Sequence, residues 1–163
     1  MAKELRTGLE GSADKVSDEY DLVKALIHAG HYRDDEDYHT VVNIKRRNKH
    51  LFSFTVRLLG DDEIFEARLA ATKFIPNPAG KEYPNIRGDV NDARYTSALV
   101  YMATLEEDQR KIWDNEAVKN EFGIIDPIDM VDQLLLPYEK KAVLRVIGQN
   151  DDNELKKEDA VKN

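Results

Sequence analysis

His50-Leu51-Phe52-Ser53-Phe54-Thr55-Val56-Arg57-Leu58 is the stretch that decides the fold class. Phe52, Phe54, Val56 and Leu58 alternate with Ser53, Thr55 and Arg57, the period-2 pattern of a strand with one buried face. Just upstream, Val42 and Ile44 alternate with Asn43 and Lys45, and Arg46-Arg47-Asn48-Lys49 supplies a turn-competent asparagine. The pattern predicts an antiparallel hairpin. A bare hairpin is marginal in water, so the apolar face must be covered by helices.

Working outward, helices are easy to find. On the N-terminal side, Ser17 can cap a helix whose first turn holds Asp18 and Glu19, where carboxylates complement the helix dipole. Tyr20, Val23 and Ile27, with Leu22 and Leu26 beside them, form an apolar face, and Gly30 is a natural stop. Residues 1–16 carry scattered charges and two glycines without a period and read as a flexible arm. Beyond the strand, Gly60 is a break, and Asp61-Asp62 open a helix predicted to run to about Phe74, with Ile64, Ala67 and Ala71 on one side.

Ile75 to Gly88 holds three of the five prolines and two glycines and reads as one long irregular connection. Four helices follow. The first, about Asp92–Ala103, is expected to bury Tyr95, Leu99 and Met102. Thr104 and Glu107 have capping-box spacing for the second, which carries Ile112 and Trp113. Asn115 can cap a short helix bearing Val118 and Phe122 and ending at Gly123. Asp126-Pro127 opens a run with Ile128, Val131, Leu134 and Leu135 at helical spacing. Pro137 ends that run and starts a last helix carrying Tyr138, Leu144 and Ile147 and closing at Gly148. The expected architecture is α+β: a mainly helical single domain over 17–149 with one antiparallel hairpin, and a disordered polar tail over 150–163.

Composition limits the chemistry. The 163 residues contain no cysteine, which removes disulfides, thiolate metal sites and cysteine nucleophiles. No apolar run approaches the ~18 residues of a membrane span, and Met1-Ala2-Lys3-Glu4-Leu5-Arg6 lacks the apolar core of a secretory signal. A net charge of -8 repels phosphate backbones. These features predict a soluble, intracellular protein that binds neither membrane nor nucleic acid.

Several constellations invite a sharper reading. His28, His31 and His39 bracket the acids Asp34 to Asp37, but Gly30 interrupts the first pair and the acids lack the spacing of a calcium loop. His39, Asn43 and His50 share letters with an HNH nuclease without its remaining metal-site spacing. Ala79-Gly80-Lys81-Glu82 lacks most of a phosphate-binding loop. The basic cluster Lys45, Arg46, Arg47, Lys49 and His50 suits protection of a strand edge or a protein contact better than phosphate binding on so acidic a chain. No catalytic residue, cofactor site or metal site is expected.

Two stretches carry a resemblance: Met102-Ala103-Thr104-Leu105-Glu106-Glu107-Asp108-Gln109-Arg110-Lys111-Ile112-Trp113-Asp114-Asn115, and Phe122-Gly123-Ile124-Ile125-Asp126-Pro127 leading to Leu134-Leu135-Leu136-Pro137-Tyr138-Glu139. Together they resemble the XkdN-like tail assembly chaperones of long-tailed phages (siphoviruses) and prophages of Gram-positive bacteria. The resemblance covers roughly Tyr20 to Asn150. One departure is Tyr138, where the family commonly has a glycine before the glutamate that aligns with Glu139. The resemblance implies a non-enzymatic protein that binds the tape measure protein, keeps it soluble and promotes assembly of the tail tube. The major tail tube protein is a second expected partner. It also implies work in the host cell cytoplasm without retention in the mature virion and, for some members, a longer frameshifted form. Trp113, Leu135 and Tyr138 are the candidate partner-binding residues. A virion structural role, as a tail-completion or connector component, is the alternative.

Overall fold

In a computed structural model, residues 18–149 are described, and they fall into two compact units divided between Glu36 and Asp37. The arm assigned to 1–16, the capping Ser17 and the tail assigned to 150–163 lie outside the described residues.

In the first unit, residues 18–30 form a helix (α1) followed by a turn. The amide of His31 donates back to the carbonyls of Ile27 and His28, and His28 Nε2 lies 3.3 Å from the Asp35 carboxylate.

The second unit begins with the anticipated hairpin, β1 (Thr40–Arg46) and β2 (Lys49–Val56), paired antiparallel. Val42 faces Phe54 and Ile44 faces Phe52, with a bulge after Ile44. The turn residues Arg47 and Asn48 both have positive φ (52° and 62°), the backbone twist that two-residue hairpin turns require. Ile44, Phe54 and Val56 are buried, so the register read from the alternation holds. The C-terminal end of the outer edge of β2 is occupied from within. Arg57 N donates to Ala103 O, Leu105 N to Thr55 O, and Thr55 N to the Asp108 carboxylate at 2.7 Å. That end of the edge is not available to another strand.

Helix α2 (Asp61–Ala70) ends four residues before the expected Phe74. Thr72–Ile75 instead forms strand β3, pairing antiparallel with β4 (Ile86–Val90). This second two-stranded sheet corrects the reading of Ile75–Gly88 as irregular throughout. A Cβ on Gly88 would sit 2.8 Å from Lys73 O, so the glycine permits the close approach of the two strands. The loop between them is held by Asn77, which accepts from Ala79 N and donates to Pro84 O.

The remaining helices are α3 (Asp92–Ala103), α4 (Glu106–Asp108) running into a π-helical turn (Gln109–Trp113), α5 (Glu116–Phe122), α6 (Pro127–Leu134) and α7 (Pro137–Val146). Asn115 and Asp126 cap α5 and α6 as expected, accepting from Val118 N and Ile128 N. Gly123 closes α5 at φ +64°. Helix α3 is central: α2, α6 and α7 pack on it, burying Ala98, Leu99, Val100 and Ala103. Tyr95 and Met102 are only half-buried. The α+β, mainly helical class therefore holds, with one more small sheet than anticipated.

Candidate functional site

Trp113, the first candidate for partner binding, is 0 % exposed and belongs to the core. Its ring meets Phe54 edge-on at 5.2 Å and Phe52 at 6.2 Å. The indole Nε1 donates to Thr104 Oγ1 at 2.9 Å, and that hydroxyl donates to Val100 O. Thr104 is therefore spent on the tryptophan, and the capping box expected from Thr104 and Glu107 does not form. Glu107 pairs instead with Lys111. The π turn, closed by Asp114 N donating to Gln109 O, carries Trp113 over the sheet. Tyr101 fastens its far end by donating to Asp114, and burial, then the neighbouring Asp114 charge, pushes that phenol up to about 12.

Leu135 is likewise a core residue, 3 % exposed. It offers no surface to a partner. Tyr138 does, standing 63 % exposed on the first turn of α7. The three are thus not one site: two stabilise the fold and one faces solvent.

Polar side chains that looked available from sequence are largely committed to holding elements together. Arg46, at the end of β1, turns inward and donates to Glu139 Oε1 and to Leu134 O, both at 2.7 Å. Glu139 also accepts from Leu136 N at 2.8 Å, capping α7. Burial alone would raise the Glu139 carboxyl, but the Arg46 hydrogen bonds, the Leu136 N–H and the Arg46 charge together hold it below the ordinary carboxylate range. Arg94 joins three elements, donating to Ala70 O, Asp126 and Asp129. Of the basic tip, Lys45, Arg47 and Lys49 remain at the surface.

A cleft of about 290 Å³ opens beside Arg94, lined also by Asn91, Ala93, Ser97, Ile128, Asp129 and Asp132. Lys140 Nζ lies 3.2 Å from Ser97 Oγ, which brings a serine–lysine pair to mind. However, the lysine is held by Asp132 at 2.7 Å, and the serine hydroxyl donates to Ala93 O. The pair thus ties α7 to α3 and to Asp132 of α6. On the outer face of the hairpin, His50 Nε2 contacts Ser53 Oγ, which donates to Asn43. Among the described residues, no three His, Cys, Asp or Glu side chains gather where a metal ion could be held. Nor is any described helix long and apolar enough to cross a membrane.

The surface displays apolar side chains in several places, among them Val41 and Leu51 on the hairpin and Phe122, Ile125, Leu136 and Tyr138 further along the chain. In the second unit, Phe65, Phe74, Ile75, Tyr83, Ile86 and Val90 are all exposed on or beside the β3–β4 sheet. Arg87, opposite Phe74 in the ladder, lies over the Phe65 ring at 5.5 Å. In the first unit, Tyr20, Leu22, Val23, Leu26 and Ile27 of α1 are each 52–62 % exposed. The α1 stripe is legible in the sequence, whereas the sheet surface is hidden there because β3 continues the apolar spacing of α2.

The fold is a small, mainly helical α+β one with exposed apolar side chains on α1 and on the β3–β4 sheet. The sequence model of the phage XkdN-like tail assembly chaperone proteins matches residues 23–163. The chain belongs to that family. No curated protein and no solved structure matches it.

Proposed function

We propose that this chain is a non-enzymatic chaperone that binds the tape measure protein, keeps it soluble and promotes polymerisation of the tail tube around it. The family match over 23–163 is the observation that carries the reading. The physical need is clear. A long amphipathic helical client aggregates through its apolar stripe unless another surface covers that stripe. The exposed faces on α1 and on the β3–β4 sheet are of the kind that can do so. The work belongs to the host cytoplasm before the tail is complete, and the chain is not retained in the virion.

Co-expression is the test. The tape measure protein, or a long fragment of it, is expected in the soluble fraction and should co-purify with this chain, and purified particles should lack the chain. A folded sample that captures neither the tape measure protein nor the major tail tube protein overturns the reading. Stoichiometric recovery of the chain in particles points to a structural role instead.

A further inference from the structure

We propose that the apolar half of α1 is a docking face for a basic amphipathic helix of a protein partner; the inference rests on the chaperone reading and names the surface that serves it. At 100° per residue, Tyr20, Val23 and Ile27 form one ridge and Leu22, Leu26 and Ala29 a second beside it. Glu19 falls between the ridges in the first turn, Asp18 borders the second ridge, and Asp21, Lys24, Ala25 and His28 occupy the opposite half. The large side chains of both ridges are exposed along the whole helix. A helix of this length is marginal in water by itself, because most helical stability in proteins comes from packing an apolar face. Its face is therefore built to be covered.

Charge selects the occupant. Residues 18–36 hold Asp18, Glu19, Asp21, Asp34, Asp35 and Glu36 against Lys24 and Arg33, a net -4, half of the chain's -8. A second copy of α1 would bring two such segments together, and like charges in an interface oppose association. An anionic membrane surface is disfavoured for the same reason. A helix with a leucine-type stripe and lysine or arginine flanks gains from both features, apolar contact along the ridges and opposite charge at the rim. This is helix-on-helix recognition by residues at i, i+3, i+4 and i+7 spacing.

The test uses the full chain and two synthetic amphipathic peptides with the same leucine stripe, one flanked by lysines and the other by glutamates. The lysine peptide is expected to bind at least about tenfold more tightly at low salt, with the preference shrinking as salt is raised. The variant Val23→Asp/Leu26→Asp should lose about tenfold or more of that binding, with an unchanged circular dichroism melt of the second unit. Asp18→Asn/Glu19→Gln/Asp21→Asn should narrow the difference between peptides while retaining apolar binding. Equal binding of the two peptides, or full binding by the stripe variant, overturns the inference. So does dimerisation of the wild-type chain that the stripe variant abolishes, which would make a second copy the occupant. Capture of the tape measure protein by wild type and stripe variant alike leaves the chaperone reading standing and removes this one. Binding of the lysine peptide through the stripe, without tape measure capture, does the reverse.

Discussion

Helix α1 and the face of β2 that carries Phe54 are both amphipathic, with large apolar residues at the spacing their backbones demand, yet they end in opposite environments. Phe54 is 1 % exposed, stacked near Phe52 and met by Trp113, whose only polar atom has a buried partner in Thr104. Leu26, at the centre of α1, is 62 % exposed. The difference teaches that apolar periodicity specifies a face to be covered and leaves open what covers it. In the second unit the chain supplies the cover itself. On α1 the described residues of its own unit supply none.

Replacing an apolar residue by a carboxylate in each region is the most direct way to break this contrast. Phe54→Asp is expected to unfold the second unit, because a lost aromatic contact and an unpaired buried charge together cost more than about 4 kcal/mol. Circular dichroism and urea titration read the loss. A cooperative transition near the wild-type midpoint would show that the Trp113–Phe54 contact is not the centre of the core.

A smaller effect belongs to Glu139, the ionic tie between β1 and α7. Glu139→Gln removes the charge on the pair with Arg46 and should cost about 1–2 kcal/mol at neutral pH. The sign follows from the carboxyl being held below its ordinary value in the folded state. Its contribution is complete above the unfolded carboxylate range, near pH 4.3, and disappears as pH falls through the lower folded value. Wild type and variant should therefore converge in stability under acid and separate on raising the pH. A gap that persists unchanged at low pH would assign the effect to geometry rather than charge.

Leu26→Asp has the smallest expected effect on folding, within about 0.5 kcal/mol in the second unit, as for a surface substitution remote from core contacts. Its cost should appear in partner binding instead. A destabilisation of the second unit comparable to that of Phe54→Asp would mean that α1 contributes to that core.

The sequence made some of this contrast legible and hid the rest for identifiable reasons. The hairpin was readable because a one-residue slip of β2 would expose Phe54 and Val56 together. Asn115, Gly123, Asp126 and Pro127 marked helix ends because orphan amides and carbonyls restrict which residues can sit there. The β3–β4 sheet was not readable. Phe74 and Ile75 extend the spacing of α2, and Ile86, Gly88 and Val90 lie in a segment that proline and glycine make look irregular. Gly88 was the available signal, since it allows the approach to Lys73. The burial of Trp113 is not legible because the π turn that carries it over the sheet leaves no mark in the pattern. Nothing in the spacing of Leu134 and Leu135 tells which of them is in the core. The basic tip is legible as a cluster but not in its partners. Nothing in Lys45-Arg46-Arg47 shows that the middle residue alone turns back to Glu139.

Hydrogen–deuterium exchange of the full chain, alone and with a soluble tape measure fragment, decides whether α1 is the face that the client covers. Amides of residues 18–30 are expected to exchange rapidly in the free chain and to become protected in the complex, while the core strands and α3 stay protected in both. Protection confined to the β3–β4 sheet or to α6 and α7, with α1 unchanged by the client, would contradict it.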